Sequence, residues 1–570
     1  MRKLKFGVMV KGNVLETWQA ECINALLKSG VAELELLILP ENEGREKRSL
    51  KQKLLKHMKP SSLNKALFLL YNKICVRRRS RAHKKQDMGV VFSFVEKITC
   101  RTFKKGKYSE YFEAEDVDRI KSYKLDFILR FAFGIIRGDI LQAAKYGVWS
   151  YHHDDETKYR GQPSCFWEIV KKDPVTGAIL QKLTDRLDGG IVLRRGYFST
   201  IKNYRKNLEQ VHLGTADFCL QVCKQILTGN DKVFFAEPSR SDAPIYHQPG
   251  NLTMVRLFLI QSQDFFKKVF EKLFMSINWN IGIIPYSAEE LIRRAKSGEI
   301  TISDKNTRWL PRIRKLQFLA DPILLSQENE TLTVLVEKYD HRIKRGHIEE
   351  LKFRFDGSLV GSRPVISEPW HMSYPYVVQE GENIYCIPET CAKGSLPLYR
   401  LQGGEWVFEK DILEDFAAVD ATIFSYQNRW WLFATDKNDL PSEKLYIWHA
   451  SSLLGSWISH ALNPVVCDVR GARPGGRPFV VDGRLYRPAQ DCSLSYGGAL
   501  SINEIECLTP EVFSEKAVCS LKPDSHGKYR EGVHTFMPFE GGVVIDGKRY
   551  EFSLLALYFK FLNKILKILK

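Results

Sequence analysis

The chain has 570 residues, 44% of them hydrophobic and 12% aromatic, with 85 Lys and Arg against 67 Asp and Glu, a formal charge of +18. That length exceeds one hydrophobic core, and the hydrophobic share excludes an unstructured chain, so roughly two to four globular domains are expected. The basic excess favours anionic partners without choosing among phosphorylated substrates, nucleic acid and an acidic membrane surface. In chain order, Lys5–Val10 alternates into a strand, Glu16–Lys28 has helical apolar spacing at Trp18, Cys22, Ile23, Leu26 and Leu27, and Glu33–Leu39 is the next strand. This is a βαβ opening without the G-x-G-x-x-G of a dinucleotide site.

Arg45–Lys85 holds 15 Lys or Arg and one acid, Glu46. It is read as a basic insertion, either a solvated face or a phosphate- or membrane-facing patch. Stacking platforms and reader motifs for nucleic acid are not found in it. Asp126–Phe131 is a third strand. Then comes the densest polar stretch, Trp149 to Gly161, which carries His152, His153, Asp154, Asp155, Glu156, Lys158 and Arg160 and is expected as a loop. Polar clusters after strand ends in an α/β sheet are where ligands usually sit. Phe166–Lys172 is helical, Ala178–Thr184 and Ile191–Phe198 are strands, and Asn207–Leu227 is one helix stopped at Gly229-Asn230. Residues 1–240 therefore form one α/β domain.

Gly147-Val148-Trp149-Ser150-Tyr151-His152, followed by Tyr159-Arg160-Gly161, resembles the formyltransferase pattern G-x-x-N-x-H-x-S-L-L-P-x-x-R-G-x-x-P. Thr176-Gly177-Ala178 and Leu187-Asp188-Gly189-Gly190 are similar to that family's T-G-x-T and L-D-x-G-D. The resemblance covers residues 90–235 and implies formyl transfer from 10-formyltetrahydrofolate to an amine. It implies His152 as catalytic base and Asp188 as its carboxylate partner, chemistry suited to those side chains. Ser150 stands where the family has the asparagine that polarises the formyl oxygen, with His153 as a substitute donor. His153, Asp154, Asp155, Arg160 and Gly161 are the substrate-binding candidates. The run Asp154–Glu156 replaces the family's Ser-Leu-Leu-Pro. It reads either as a solvated loop or as ligands for a divalent cation with a sugar diphosphate; no metal ligand is assigned.

Residues 241–277 are expected as a helical linker, with Met254–Phe274 amphipathic and packed as an interdomain helix, the alternative being a helix lying on a membrane surface. From residue 278 to 551 the texture is all-β. Segments beginning at Asp321, Tyr374, Asp420, Arg477 and His534 start alike, and each is followed by a second apolar run. A repeat of this period predicts a five-bladed β-propeller, closed by Trp279–Ile284 against the last strands. Phe318-Leu319-Ala320-Asp321-Pro322, Ile387-Pro388-Glu389, Val419-Asp420-Ala421-Thr422 and Arg487-Pro488-Ala489-Gln490-Asp491 resemble the N-terminal domain of plant glucosamine inositolphosphorylceramide transferase, and more distantly five-bladed furanosidases. Asp321, Asp420, Arg477 and His534, with Glu389 and Asp491, are expected to converge on the central channel as a glycan-binding set, the alternatives being glycosidic hydrolysis by two carboxylates and a structural ring of acids that ties the strands together. Residues 552–570 are read as a basic amphipathic tail helix, with Lys560, Lys564 and Lys567 on one face, expected to attach to an anionic membrane, the alternative being docking onto the propeller.

The 12 cysteines form no C-x-x-C pair, a usage that fits a reducing compartment. Met1–Gly12 lacks the apolar core of a signal peptide, and no window reaches about 18 apolar residues. The expectation is a cytoplasmic enzyme, peripheral on the inner face of the membrane. It would transfer formyl or a related acyl group to an amino sugar, on a nucleotide-linked or lipid-linked substrate, in surface-glycan assembly. A glycosyltransferase with a repurposed formyltransferase fold and a non-catalytic glycan-binding scaffold are the alternatives.

Overall fold

A computed structural model describes all residues except 1, 42–62, 107–108, 187–188, 299–300, 391, 556, 560–561 and 563–570. The chain is multidomain. It divides into two compact units, Met1–Asp264, which is α/β, and Phe265–Lys570, which is built of β-sheets.

The first unit is organised on a seven-stranded sheet. Its strands are β1 (Leu4–Met9), β2 (Ala32–Pro40), β3 (Glu96–Cys100), β4 (Phe127–Arg130), β5 (Val148–His152), β6 (Val175–Lys182) and β7 (Ile191–Ser199), in the order β7-β6-β5-β4-β1-β2-β3. The strands β5, β4, β1, β2 and β3 run parallel, and β6 and β7 join antiparallel. Parallel strands are covered on both faces, and Phe127, Ile128 and Leu129 of β4 are all buried. Helix α1 (Thr17–Ser29) begins with a reciprocal Glu16/Gln19 capping box and ends at Gly30, whose φ of 71° suits glycine. It buries Trp18, Cys22, Ile23 and Leu26.

Two sequence expectations are corrected here. Trp149–Gly161 is not one loop: its first four residues lie in β5, and Arg160–Gly161 pairs with Ile245–Tyr246. The helix expected over Asn207–Leu227 is two helices, α2 (Tyr204–Gly214) and α3 (Phe218–Leu227). Between them the Thr215 hydroxyl donates back to Val211 O and His212 O, competing with the backbone ladder. Residues 45–62 of the basic insertion lie outside the described residues; Ala66–Tyr71 and Asn72–Arg77 are described helical turns within it.

In the second unit the described strands form five antiparallel sheets, one within each of residues 317–366, 373–413, 418–467 and 479–521, and a fifth combining Met275–Ile284 and Arg308–Trp309 with Phe536–Phe539 and Gly542–Phe552. Met275–Ile284 pairs along its whole length with Gly542–Phe552, so strands from the two ends of the unit share a sheet. Three first strands carry the same irregularity. Asp321, Tyr374 and Asp420 have φ of 54°, 42° and 50°, and each sits at a break in its strand's register. Left-handed non-glycine residues are strained and persist only where surroundings hold them.

Helix α4 (Asn251–Phe274) sets Phe258 edge-on against Tyr71 at 5.4 Å. It buries Met254, Leu257 and Ile260, whereas Phe265, Phe266 and Phe270 are exposed. Among the described residues no helix is long and apolar enough to cross a membrane.

Candidate functional site

The carboxyl end of β5 opens on a cavity of about 340 Å³ whose walls include His152, His153, Asp154, Arg77, Tyr204 and His212. His152 is half-buried there, with Nε2 3.4 Å from Tyr159 O. Asp188 lies outside the described residues. Ser150 shares the β5 face with His152 but is 2% exposed, and its Oγ accepts a hydrogen bond from Arg130 Nη2 at 2.8 Å. Arg130 Nη1 donates to Gly134 O, and its Nε is buried without a partner. The serine is therefore tied to a guanidinium at the position where the formyltransferase pattern places a carboxamide.

His153 is not a donor in waiting. It stacks on His212 at 3.8 Å, meets Trp18 edge-on at 5.0 Å, and its Nε2 lies 3.3 Å from Thr215 Oγ1. Burial, then the neighbouring imidazoles His152 and His83, pushes its pKa down to about 3, so it is neutral at pH 7.

The acidic run is neither solvated nor open to a cation. Asp154 is 4% exposed and accepts from Cys165 N at 2.7 Å. Burial, then the adjacent Glu168 carboxyl, raises Asp154 well above the carboxylate range, and burial pushes Glu168 up to about 8. Asp155 accepts from Thr157 N and Oγ1 at 3.0 and 2.6 Å, and Arg195 Nη1 lies 3.6 Å away. Arg195 closes a two-pronged pair on Glu156, one prong 2.7 Å long. These carboxylates hold the turn after β5. Arg160 Nη1 donates to Ser241 O and Ala243 O. Gly161, with φ 100°, is needed because a Cβ there would sit 2.1 Å from Tyr246 O. Arg160 and Gly161 thus anchor the 241–246 segment.

In the second unit Asp321, Glu389, Asp420 and His534 do come together in one buried network. The N–H of each left-handed residue, freed from its ladder, finds a carboxylate. Asp321 N donates to Asp546 Oδ2, Tyr374 N to Asp321 Oδ2, and Asp420 N to Glu389 Oε2, each at 3.1 Å. The Tyr374 hydroxyl contacts Thr422 Oγ1 and accepts from Gly476 N. Arg473 and Gln490 both donate to Asp420 Oδ2 at 2.6 Å. His534 Nδ1 is 2.5 Å from Asp546, its Nε2 3.6 Å from Asp321, and its ring stacks on Trp279 at 3.8 Å. Burial raises Glu389 to about 8 and Asp321 to about 6. Arg477 does not join: its Nη2 donates to Val377 O at 3.0 Å and Leu324 O at 3.4 Å, and the arginine that pairs with Asp420 is Arg473. Asp491 caps a local turn through Ser493 N.

Among the described residues, Asp321, His534 and Asp546 are the group whose ligand atoms lie close enough for one metal ion. The donor set fits a hydrogen-bonded clasp better. Asp546 already accepts from the N–H groups of His534, Thr535 and Asp321 and pairs with His534.

Sequence reasoning missed Arg130, Glu168, Arg195, Arg473 and Asp546. For Asp546 a signal existed. The second apolar runs end in Glu337, Glu389, Asp436, Asp491 and Asp546, and three of these are buried acids.

Parts of this chain are similar to known proteins. Residues 312–534 match the family model described as glucosamine inositolphosphorylceramide transferase 1, N-terminal. Glucosamine inositolphosphorylceramide transferase 1 of Oryza sativa subsp. japonica is 38% identical over 214 residues, 35% of this chain and 28% of that protein. The Arabidopsis thaliana protein of the same name is 34% identical over 275 residues, 44% of this chain and 35% of that protein. A methionyl-tRNA formyltransferase of Prochlorococcus marinus (strain MIT 9312) is 29% identical over 118 residues, 20% of this chain and 35% of that one. The chain thus spans about a third of the length of the curated relatives it matches. Among solved structures, a family 117 glycoside hydrolase of Zobellia galactanivorans aligns with a TM-score of 0.32 at 10% identity, over 49% of this chain and 90% of that one.

Proposed function

We propose that this chain is a transferase of glycoconjugate assembly, with a group-transfer site at His152 in an α/β domain ending near residue 240. In this reading residues 278–551 are a five-bladed propeller that holds a glycan or a lipid-linked sugar. The propeller is supported by the repeated left-handed residue in three first strands and by the hydrogen bonds that pass from Asp546 to Asp321 and on to Tyr374. The glycoconjugate assignment is supported by the match of residues 312–534 to a transferase named for inositolphosphorylceramide.

One observation favours transfer of a sugar unit over transfer of formyl: the bond between Arg130 and the buried Ser150. A formyl oxygen needs a free neutral donor of amide length, and this hydroxyl is short, buried and engaged. A half-buried guanidinium at the carboxyl end of the adjacent strand β4 suits a phosphate-bearing leaving group. His152 then takes the proton of the acceptor hydroxyl as the new bond forms at the sugar's anomeric carbon and the nucleoside diphosphate departs. Formyl transfer is the second reading, favoured by the similarity to methionyl-tRNA formyltransferase.

The test incubates the purified chain with a panel of nucleotide sugars and an inositolphosphoryl-lipid acceptor, and in parallel with 10-formyltetrahydrofolate and amino sugars, following product mass. The expected result is the gain of one sugar unit, reduced at least about 100-fold in His152→Ala. A gain of one formyl, enhanced in Ser150→Asn, would select the second reading. Glycan retention on an array without turnover would leave a scaffold.

A further inference from the structure

The last ten residues of α4 expose what a folded chain normally hides. Phe265, Phe266, Val269, Phe270 and Leu273 are 63, 69, 37, 50 and 40% exposed. At about 100° per residue these five fall within one arc of about 140°, with Lys267 beyond one margin and Lys272 beyond the other. Beside this helix end lies the end of the last strand, although nearly the whole unit separates them in sequence. Ser553 N donates to Phe274 O at 2.9 Å, and the Phe274 and Phe552 rings stack at 6.1 Å. There Phe552, Leu554, Leu555 and Tyr558 are again more than half exposed. An open cavity of about 740 Å³ adjoins both segments, and its walls include Lys267, Phe270, Lys528, Arg530, Arg549 and Phe552. Acids are present too: Glu271 pairs with Lys267, Glu531 with Arg530, and Glu551 with Arg549.

Adjacent exposed apolar side chains of this number mark an interaction surface. Phenylalanine and leucine in one arc with lysines at its margins is the composition that lies in a bilayer interface. We propose that residues 265–274 together with Phe552, Leu554, Leu555 and Tyr558 form a docking surface for an anionic lipid bilayer. The apolar side chains enter the acyl boundary, and Lys267, Lys268, Lys272, Lys528 and Arg530 face the headgroup phosphates. The net charge of +18 draws the whole chain to such a surface. A second copy fits less well, because a two-fold contact through this face would set its lysines against their own symmetry mates. The surface is independent of the reaction at His152.

The test is flotation of the full chain with phosphatidylcholine vesicles, with and without phosphatidylserine. Binding is expected only with phosphatidylserine, and it should weaken as salt is raised. Each Phe→Ser change at 265, 266 and 270 should lower partitioning about tenfold. The charge reversal Lys267→Glu/Lys268→Glu/Lys272→Glu should abolish the preference for phosphatidylserine. The three phenylalanine side chains are exposed, so the melting temperature of the serine variants should not move, which separates loss of docking from unfolding. The proposal falls if the wild type ignores vesicles, if it binds neutral ones equally, or if the triple serine variant still floats. It also falls if the wild type is a dimer that the serine changes dissociate without any vesicle binding.

Discussion

Two buried histidines, one in each unit, show opposite solutions to the same problem. His212 of the α/β unit is 7% exposed, and both ring nitrogens are buried without a partner. Its neighbours are His153, His83 and Arg77, so burial and then like charge drive its pKa well below 6.5, and it is neutral. His534 of the β unit is 2% exposed and lies between Asp546 and Asp321. Burial opposes its charge, but the two carboxylates outweigh burial and raise its pKa, while the same pairing lowers Asp546. Burial alone does not set a histidine's charge; the groups facing the ring do.

The largest expected effect breaks the charged member of the pair. His534→Phe leaves Asp546 and Asp321 buried without their cation and should cost about 3–5 kcal/mol in a urea denaturation. The deficit should shrink at alkaline pH. A raised histidine contributes stability that is fully present below its unfolded pKa of about 6.5 and is lost as pH rises through the folded value.

Next come two glycines that pose the same steric question in the two units. Gly476→Ala would place a Cβ 2.0 Å from Phe536 O at φ 125°, and Gly161→Ala would place one 2.1 Å from Tyr246 O at φ 100°. Each should cost up to about 3 kcal/mol, read as a lowered melting temperature. Only the Gly161 variant should also disturb the cavity at His152.

Arg195→Met asks whether the acid-rich turn of the α/β unit depends on one cation as the β network does. The guanidinium is 28% exposed on a carboxylate 4% exposed, so the expected loss is about 2 kcal/mol, discounted from that of a fully buried pair. The smallest effect at neutral pH is His212→Phe. The native state resists protonating His212, whereas the unfolded chain takes up that proton below pH 6.5. The wild type therefore loses ground on acidification, and the variant should gain about 1.4 kcal/mol on it per pH unit below 6.5. A gap that does not grow in denaturation curves at pH 6 and pH 5 would mean that His212 is not held neutral.

The acidic residues show how far the sequence could be read. Asp154, Asp155 and Glu156 stand together in the chain and attract the eye as a site, yet Cys165 N, Thr157 and Arg195 engage them and they build a turn. Asp321, Glu389, Asp420 and Asp546 are dispersed over 225 residues and form the denser network. Neighbouring carboxylates repel and must be neutralised locally, whereas dispersed ones meet only when strands bring them together. Ser150 was recognisable as a departure from a pattern; its tie to Arg130 was not, because that bond crosses between adjacent strands.

By itself the sequence determined the order of the elements and the change from α/β to all-β texture. It also placed Asp321, Tyr374 and Asp420 at the starts of repeated segments, because hydrophobic period is a local property. Only the tertiary structure decided which charges are neutralised and by whom, that Arg473 rather than Arg477 serves the network, and that Phe274 lies beside Phe552. Those outcomes depend on distances between residues far apart in the chain, and on the cost of leaving a buried charge or a freed backbone N–H without a partner.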